Sequence, residues 1–329
     1  MNTRAALIGI VIATLAAAAD DTLVMREHHG FSMGSTLSIK ALGNNTAELD
    51  DALLAAVAEI DRIEDLMTDW RPSPLTRLND AAGQGPQTVP GELAAIIARS
   101  VELHRLTGGA FDITFASAGD LWNYKRADFA FPTPEQIAAA LPFIDARRIA
   151  VDAERLTVDL PAGMRIGLGG IAQGYAADRA MAVLMKRGIR HAVVDISGDL
   201  KILGNKNGAP WEVAIKHPRR RQHAIAVLKL SNISVTTSGD YERFFEHEGQ
   251  RYHHIIDPRT ARPSDGCMSA TVLAPNSELA DALATALCVL TPEEGLKLVE
   301  SLDRVEAMLV GRDEQIHLTR GLTDVLVNP

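Results

Sequence analysis

The segment ELADALATAL, residues 278–287, is the most informative stretch of this sequence. Nearly all of its residues are strong helix formers. Asp281 and Thr285 are four residues apart, so a helix places them on one face, about 5–6 Å apart at Cβ. A carboxylate and a hydroxyl among small apolar side chains suit a hard cation such as Mg2+. Alternatively, Asn276 or Ser277 caps this helix, and Asp281 simply favours its dipole.

The composition is that of a globular protein with a substantial core. The chain has 329 residues, of which 47% are hydrophobic and 23% are charged, which is ordinary for soluble domains. A net charge of -9 argues against nucleic acid or an anionic membrane as the main partner. An acidic protein that handles a phosphate ligand would need a metal ion or backbone N–H groups at the site.

The first 19 residues read as a secretory signal peptide. Arg4 precedes an apolar run at residues 5–19, which ends in the small residues Ala17-Ala18-Ala19. This run is short for a membrane span and supplies a cleavage site. We therefore predict a mature domain of residues 20–329 that is periplasmic or secreted. The alternative is an uncleaved signal that tethers the protein to the inner membrane.

The chain has two cysteines, Cys267 and Cys288. In an exported protein they could pair, but two cysteines alone do not establish a disulfide. Cys288 lies in the apolar run Ala286–Leu290, which is typical of core. The pair does not have the spacing of a zinc site.

Hydrophobic periodicity predicts an α+β protein. Helices are predicted at residues 46–67, 91–107, 133–141, 174–186, 278–287 and 293–302. Strands or hairpins are predicted at residues 31–43, 147–160, 192–203, 211–215, 224–230, 234–237, 252–256, 269–273 and 307–318. Because strands cluster and helices arrive in separate groups, we expect mixed or antiparallel sheets flanked by helices. One elaborated domain is expected rather than two.

A glycine-rich loop, GLGGIAQG at residues 167–174, links a strand candidate to a predicted helix. Its backbone N–H groups could hold an anion at the helix N-terminus. The spacing of Gly167, Gly169 and Ala172 also fits the dinucleotide fingerprint, with Asp195 where a ribose-binding acid belongs. An NAD-dependent oxidoreductase is therefore an alternative, weakened by the poor strand at residues 161–166 and the lack of strand–helix alternation. A glycine turn that only permits close packing is the structural alternative.

Eight segments, taken in order, resemble the ApbE family, the FAD:protein FMN transferases. They are FSMGSTL at 31–37, LMTDWRPSPLTRLN at 66–79, TGGAFDIT at 107–114, GLGGIAQGYAADRA at 167–180, DISGDLKILG at 195–204, TTSGDYERFF at 236–245, HHIIDPRTARP at 253–263 and ADALATAL at 280–287. They are spread over nearly all of the mature chain. The resemblance implies an ApbE-like fold.

The resemblance also implies site residues. The magnesium ligands would be Asp281 and Thr285, with backbone contacts from Ala284 and near Gly170. The implied flavin contacts are Met33, Trp70, Ala110, Phe111, Asp112, Gly167, Gly169, Gly170, Gln173 and His254, and Ser238 is in a predicted turn that could line the site.

Two positions depart from the family's usual pattern. The glycine loop commonly begins with Asp, where this chain has Gly167, and commonly carries Lys or Glu where this chain has Gln173. Gly167 removes a carboxylate that could bind a flavin hydroxyl. Gln173 keeps a hydrogen-bonding group but brings no charge. FAD affinity, and transfer as opposed to hydrolysis, depend on these positions.

Four candidates keep a structural alternative. Asp112 follows two glycines, where an Asp commonly shapes a turn. His254 is either a structural donor or a base for a hydroxyl proton. Trp70 either stacks on the flavin or anchors the core. The cluster at residues 219–221 is either a solvated loop or a positive patch that steers phosphates or an acidic partner.

The resemblance implies Mg2+-dependent transfer of FMN from FAD to a Thr or Ser hydroxyl of an acceptor protein, with AMP as the leaving group. The implied acceptor is a flavoprotein subunit of a membrane redox complex. Asp281 would hold the metal, and His254 is the candidate for activating the hydroxyl. The alternatives are hydrolysis of FAD to FMN and AMP at the same site, or flavin binding without turnover.

Overall fold

The computed structural model describes residues 23–220 and 222–327. The predicted signal segment, residues 1–19, lies outside the described residues, so its cleavage stays a prediction. Among the helices of the described ranges, none combines the length and the apolar character needed to cross a bilayer.

Eight α-helices are found in the described residues. They are α1 (Thr46–Met67), α2 (Pro74–Asp80), α3 (Gly91–Leu106), α4 (Ala116–Gly119), α5 (Pro134–Ala140), α6 (Ala172–Lys186), α7 (Ser277–Val289) and α8 (Pro292–Glu300). All six predicted helices are confirmed, each within two residues at both ends. Helix α2 was missed because Ser73 and Pro74 indicated a turn, whereas Ser73 caps the helix and shares a capping box with Thr76.

The strands form one large sheet and four small ones. They are β1 (Val24–Ser32), β2 (Ser35–Gly43), β3 (Gln87–Thr88), β4 (Ala150–Asp152), β5 (Thr157–Asp159), β6 (His191–Ile196), β7 (Asp199–Leu203), β8 (Trp211–Lys216), β9 (Ala224–Leu230), β10 (Ser234–Gly239), β11 (Phe244–His247), β12 (Gln250–His253), β13 (Ile256–Asp257), β14 (Arg262–Pro263), β15 (Cys267–Ala274), β16 (Glu306–Gly311), β17 (Ile316–Leu318) and β18 (Leu326–Val327). The large sheet has the order β1-β2-β6-β7-β10-β15-β16-β17, and a three-stranded sheet has the order β18-β9-β8.

The single strand predicted at residues 31–43 is wrong, because it is a hairpin of β1 and β2. Ser32 pairs with Ser35, so Met33 and Gly34 form a two-residue turn with φ of 53° and 69°. Positive φ at both positions is the geometry of a type I′ turn. Met33 tolerates it with support from Glu64, whose carboxylate accepts a hydrogen bond from the Met33 N–H.

The molecule has three layers, and the α+β class is confirmed. Helices α1, α6 and α7 pack together and against one face of the large sheet. The other face carries Leu42, Val193 and Ile202, which pack against Trp211 and Leu228 of the β8–β9 sheet. Strand β15 lies between these layers and is buried at all of its positions. The main core runs from Met33 to Leu309, as expected for one domain.

The glycine loop is not preceded by a strand. Residues 160–168 have no regular structure, so the predicted strand-to-helix junction is wrong. Strand β6, which follows α6, pairs antiparallel with both β2 and β7. A dinucleotide fold needs a parallel strand–helix–strand unit at this point. The NAD-dependent alternative therefore has no structural support.

Close approach of α6 and α7 depends on one glycine. A Cβ on Gly174 would lie 2.2 Å from the carbonyl oxygen of Ser277 and 2.8 Å from the Cβ of Asp281. No side chain larger than hydrogen fits there without a backbone shift. At Gly174, the alternative in which a glycine permits close packing is therefore correct. This packing places α6 directly against Asp281 of α7.

Cys267 and Cys288 are both free and buried. The core position expected for Cys288 is confirmed, since its side chain is fully buried.

Candidate functional site

A cavity of about 310 Å3 opens where the glycine loop, α7 and the edges of several loops meet. Most of the side chains predicted for the site line it. They are Trp70, Ala110, Phe111, Asp112, Gly169, Gly170, Gln173, Ser238, His254, Asp281 and Thr285. Met33, Gly167 and Ala284 are the predicted residues that do not.

Helix α7 places Asp281 and Thr285 on the cavity wall. Asn276 caps the helix by accepting a hydrogen bond from the Leu279 N–H, which confirms the predicted cap. The Asp281 carboxylate is buried and accepts a hydrogen bond of 3.0 Å from the Gly174 N–H. Thr285 Oγ1 lies 2.9 Å from the point where a Cβ on Gly170 would stand. The loop backbone and the two α7 side chains therefore meet at one place.

A second carboxylate, Asp199 at the start of β7, faces the same cavity and was not among the predicted residues. Burial raises the pKa of Asp199 to about 7. Burial and the nearby charge of Asp199 raise the pKa of Asp281. Both shifts reflect acids that are removed from water without a compensating charge.

The donors at this position fit a hard divalent cation. No Lys or Arg of the described chain forms an ion pair with Asp199 or Asp281, and burying an uncompensated carboxylate is costly. A cation would relieve that cost. In the described ranges no three His, Cys, Asp or Glu side chains cluster at metal-binding distance, so further ligands would be the Thr285 hydroxyl and backbone oxygens. The side chain of Ala284 is a methyl group, so its backbone carbonyl is the only group that it could offer to a cation.

His254 faces the cavity in a defined tautomer. Its Nδ1 lies 3.3 Å from the carbonyl oxygen of Arg243, which can only accept, so Nδ1 carries the proton and Nε2 keeps a lone pair. Although solvent reaches this ring through the cavity, desolvation by surrounding atoms and the charge of Arg243 lower the pKa of His254 to about 4. The ring is therefore neutral near pH 7.

Asp112 lines the cavity, but its carboxylate is occupied by structural hydrogen bonds. Oδ1 accepts from the N–H and hydroxyl of Thr114, and Oδ2 accepts from the Ala146 N–H at 3.0 Å. His104 Nδ1 also lies 3.0 Å from Oδ2, although it is poorly aligned for a hydrogen bond. The side chain organises the loop, as the turn alternative states, and only the backbone here is free to contact a ligand.

Trp70 is 59% exposed at the rim of the cavity, so the core-anchor alternative for this residue is wrong. Its ring is available to stack on a ligand. Met33 is buried and lies in a side pocket of about 60 Å3 that Trp70, Gly169 and Gln173 also line. Met33 is therefore next to the cavity rather than in its wall.

The position of Gly167 is flanked by a carboxylate that the sequence did not single out. Asp69 Oδ2 lies 3.5 Å from where a Cβ on Gly167 would stand, and Asp69 lines the cavity. Burial raises the pKa of Asp69, while the charges of Arg165 and Arg243 oppose that rise. A carboxyl group is thus present beside the place where the resemblance implies an Asp.

Ser238 lines the cavity at the end of β10, while Asp240 just beyond is fully buried. Arg219 donates two hydrogen bonds to Asp240, of 2.6 and 2.7 Å, and Arg312 donates another of 2.5 Å. In the basic cluster, Arg219 therefore supports the cavity from behind and is not a solvated side chain. Arg221 lies outside the described residues.

Arg243, like Asp199 and Asp69, is a site residue that the sequence analysis did not single out. Its side chain lines the cavity, its side pocket and a neighbouring groove. Within the described part of the chain, its guanidinium has no hydrogen-bonding or ion-pair partner. A free cation at the cavity mouth suits an anionic ligand such as a phosphate.

This three-layer α+β fold has a cavity between a glycine loop and an acid–hydroxyl pair on a helix. A family model described as the ApbE family matches residues 33–309, and the chain belongs to that family.

Relatives and solved structures agree with this assignment. A FAD:protein FMN transferase of Treponema pallidum is 35% identical over 269 residues, covering 77% of this chain and 74% of the relative. A FAD:protein FMN transferase of Vibrio cholerae is 32% identical over 296 residues, covering 87% of each chain. The crystal structure of the ApbE protein from Thermotoga maritima is 30% identical with a TM-score of 0.85, covering 93% of this chain and 100% of that one. The transferase class expected from the sequence is the class of these relatives.

Proposed function

We propose that this protein transfers FMN from FAD to a Thr or Ser hydroxyl of an acceptor protein, with Mg2+ as the metal and AMP as the leaving group. The observation that carries the proposal is the pair of buried acids, Asp199 and Asp281, beside Thr285 and the glycine loop in one cavity. The names of the curated relatives supply the substrate class. Together they favour phosphoryl chemistry on a flavin dinucleotide over flavin binding alone.

Asp281, Thr285 and the backbone of Ala284 and Gly170 would hold the metal ion. When bound, Mg2+ neutralises charge on the pyrophosphate and aligns the displacement. Asp199 lies close enough to influence the charge of Asp281 and would add to the negative potential that attracts the ion.

The cavity would bind the flavin end of FAD. Trp70 can stack on the isoalloxazine ring because its face is exposed at the rim. The N–H groups of the glycine loop and the free guanidinium of Arg243 can contact phosphate oxygens. Asp69 and Gln173 can hydrogen-bond to ligand hydroxyls, which would offset the missing carboxylate at Gly167.

His254 would take the proton from the acceptor. Its neutral Nε2 receives the hydroxyl proton while the acceptor oxygen bonds to the phosphorus of the FMN half. The bond from that phosphorus to the bridging oxygen breaks, and AMP leaves with that oxygen. One phosphoanhydride bond of FAD is broken and one phosphate ester bond to the acceptor is formed, and no oxidant or reductant is needed.

The acceptor proposed from the family resemblance is a flavoprotein subunit of a membrane redox complex. The signal-like residues 1–19 support a periplasmic or secreted enzyme, or one anchored in the inner membrane if the signal is retained. Either location places the enzyme where exported domains fold.

The test uses mature protein, FAD, Mg2+ and an acceptor domain, with AMP and acceptor mass measured in parallel. We expect AMP release only with acceptor, a mass gain of one FMN unit per acceptor, and loss of both in EDTA. AMP release without acceptor would instead identify an FAD pyrophosphatase. Retained FAD with no AMP under any condition would identify a binding protein.

A further inference from the structure

A groove of about 720 Å3 adjoins the cavity and is not used by the proposed chemistry. Its floor is one face of the large sheet. Ser38 and Lys40 of β2, and Val193 and Asp195 of β6, line the groove. Because side chains alternate along a strand, these residues two apart lie on the same face. The floor is largely polar.

One wall of the groove is the edge of β8. Four consecutive residues, Trp211, Glu212, Val213 and Ala214, line it. Since neighbouring side chains point to opposite faces, a groove that contacts all four must run along the backbone edge. Strand β8 pairs with β9 on one side, and no strand of the described chain pairs with it on the other. An open edge of this kind can accept an additional strand.

The groove leads into the cavity. Ser197, Glu242 and Arg243 line both. Two exposed aromatic side chains stand at the junction, Phe31 with 73% exposure on the groove side and Trp70 with 59% on the cavity side. Exposed aromatics beside a polar groove are typical anchors for a protein partner.

The charges of the groove disfavour a second phosphate-bearing ligand. Lys216 lies 3.5 Å from Glu242, so these two charges largely offset each other. The formally charged side chains in the lining balance, three cations against three acids. They are Lys40, Lys216, Arg243, Asp195, Glu212 and Glu242. A neutral groove with hydroxyl groups and a strand edge fits a polar peptide better than a pyrophosphate.

We propose that this groove binds an extended segment of the acceptor protein. The segment adds to the free edge of β8 and delivers its Thr or Ser side chain past Ser197 into the cavity. The inference rests on the proposed function, because only a transferase with a protein acceptor needs such a surface. Backbone pairing with β8 provides affinity, and the mouth of the cavity selects the residue that reacts.

The test fills the groove with Ser38→Trp and, separately, with Ala214→Trp, and uses the acceptor domain of the transfer assay. We expect each variant to raise the KM for the acceptor about tenfold or more, with kcat and the FAD dissociation constant within about twofold. Ser231→Trp, in the exposed turn after β9, is the matched control and should match wild type. Thermal melts check that the variants fold, and Ala214 is already exposed at a strand edge.

Three results would overturn the inference. An unchanged acceptor KM in both groove variants would place the acceptor elsewhere. A tenfold weaker FAD affinity would show that the groove holds part of the dinucleotide. Absence of any adduct with wild-type protein would instead reject the proposed function itself, and with it the need for the surface.

Discussion

The ring of His254 combines a fixed tautomer with an unusually low pKa. Desolvation and Arg243 lower that pKa to about 4, so the ring stays neutral between about pH 5 and 8, where an ordinary His changes charge. We predict that His254→Gln, which cannot accept the proton, lowers the transfer rate by about 10²–10⁴-fold. FAD affinity should change much less, which equilibrium fluorescence can check.

The pH profile of the wild-type enzyme gives an independent check on His254. Because the neutral form is the base, activity that depends on this ring should persist down to about pH 5 and fall near its own pKa. Asp199, with a pKa of about 7, lies in the same cavity, so the profile is also measured for Asp199→Asn. A break close to 6.5, the ordinary pKa of a histidine, that persists in this variant would contradict the assignment.

Asp240 is predicted to be a stabilising residue behind the cavity. Burial alone would raise its pKa, but Arg219 and Arg312 lower the pKa of Asp240 overall. Its contribution to stability is therefore complete above about pH 4, the ordinary range of an Asp, and is lost as pH falls through the lowered pKa. We expect Asp240→Asn to cost about 3 kcal/mol in free energy of unfolding, since it leaves arginine charges unpaired.

Urea unfolding across a pH series measures this effect. Asp265→Asn is the control, because Asp265 also contacts Arg312 but its side chain is 86% exposed, and it should cost less than about 1 kcal/mol. Equal losses for the two variants, or an unchanged acid slope in Asp240→Asn, would show that the buried cluster is not a source of stability.

Many cavity residues could be predicted from the sequence because they lie close to one another along the chain. Asp281 and Thr285 are related by one helical turn, and the glycine loop is contiguous. Asp199 and Arg243 were missed because only the tertiary fold brings them to the cavity. Asp112 was read as a ligand because its partner Ala146 is 34 residues away.

The close packing of α6 against α7 depends on Gly174, because glycine has no side chain. Alanine is the better helix former by about 1 kcal/mol, yet its Cβ would collide with the Ser277 carbonyl. We predict that Gly174→Ala lowers the free energy of unfolding by about 2 kcal/mol and impairs transfer, because Asp281 is displaced. Thermal or urea unfolding and the transfer assay measure the two effects.

Gly119→Ala is the matched control for the junction. Gly119 has helical backbone angles, φ of -59° and ψ of -39°, and open space at its Cβ position. Its substitution should be neutral or stabilising by less than about 1 kcal/mol. A Gly174→Ala protein as stable as this control would mean that the helices can separate freely.

Elements with strong periodicity were predicted well, and those defined by turn geometry were not. Helix α1 matches its predicted bounds because its apolar stripe and Asn45 cap are encoded locally. The β1–β2 hairpin was read as one strand because Met33 is a non-glycine residue at positive φ, an uncommon choice. Its contact with Glu64 explains why the turn forms there.

The arrangement of layers could be predicted only as a class. Clustered strands favoured an α+β fold, but nothing local places β15 between β10 and β16, or the β8–β9 sheet on the outer face of the large one. The strand order and the position of the β8–β9 sheet depend on which apolar faces pack against each other when the chain folds. The groove along β8 is a consequence of this packing, so no sequence pattern predicted it.

At the scale of the whole molecule, residues from distant parts of the chain line one cavity. The glycine loop precedes α6, His254 lies between β12 and β13, and the acids come from β7 and α7. Such convergence from distant parts of the chain is expected of a catalytic site. The central claim is therefore that the cavity performs metal-dependent transfer of a flavin nucleotide, with Asp281 as the essential acid.

The intact mass of the acceptor, after incubation with FAD, Mg2+ and either wild type or Asp281→Asn, tests this claim most directly. The variant retains an oxygen for the Gly174 N–H but loses the charge that a metal requires. We predict one FMN adduct with wild type and a rate at least about 100-fold lower with the variant. Equal labelling by the two proteins, with or without EDTA, would contradict the account.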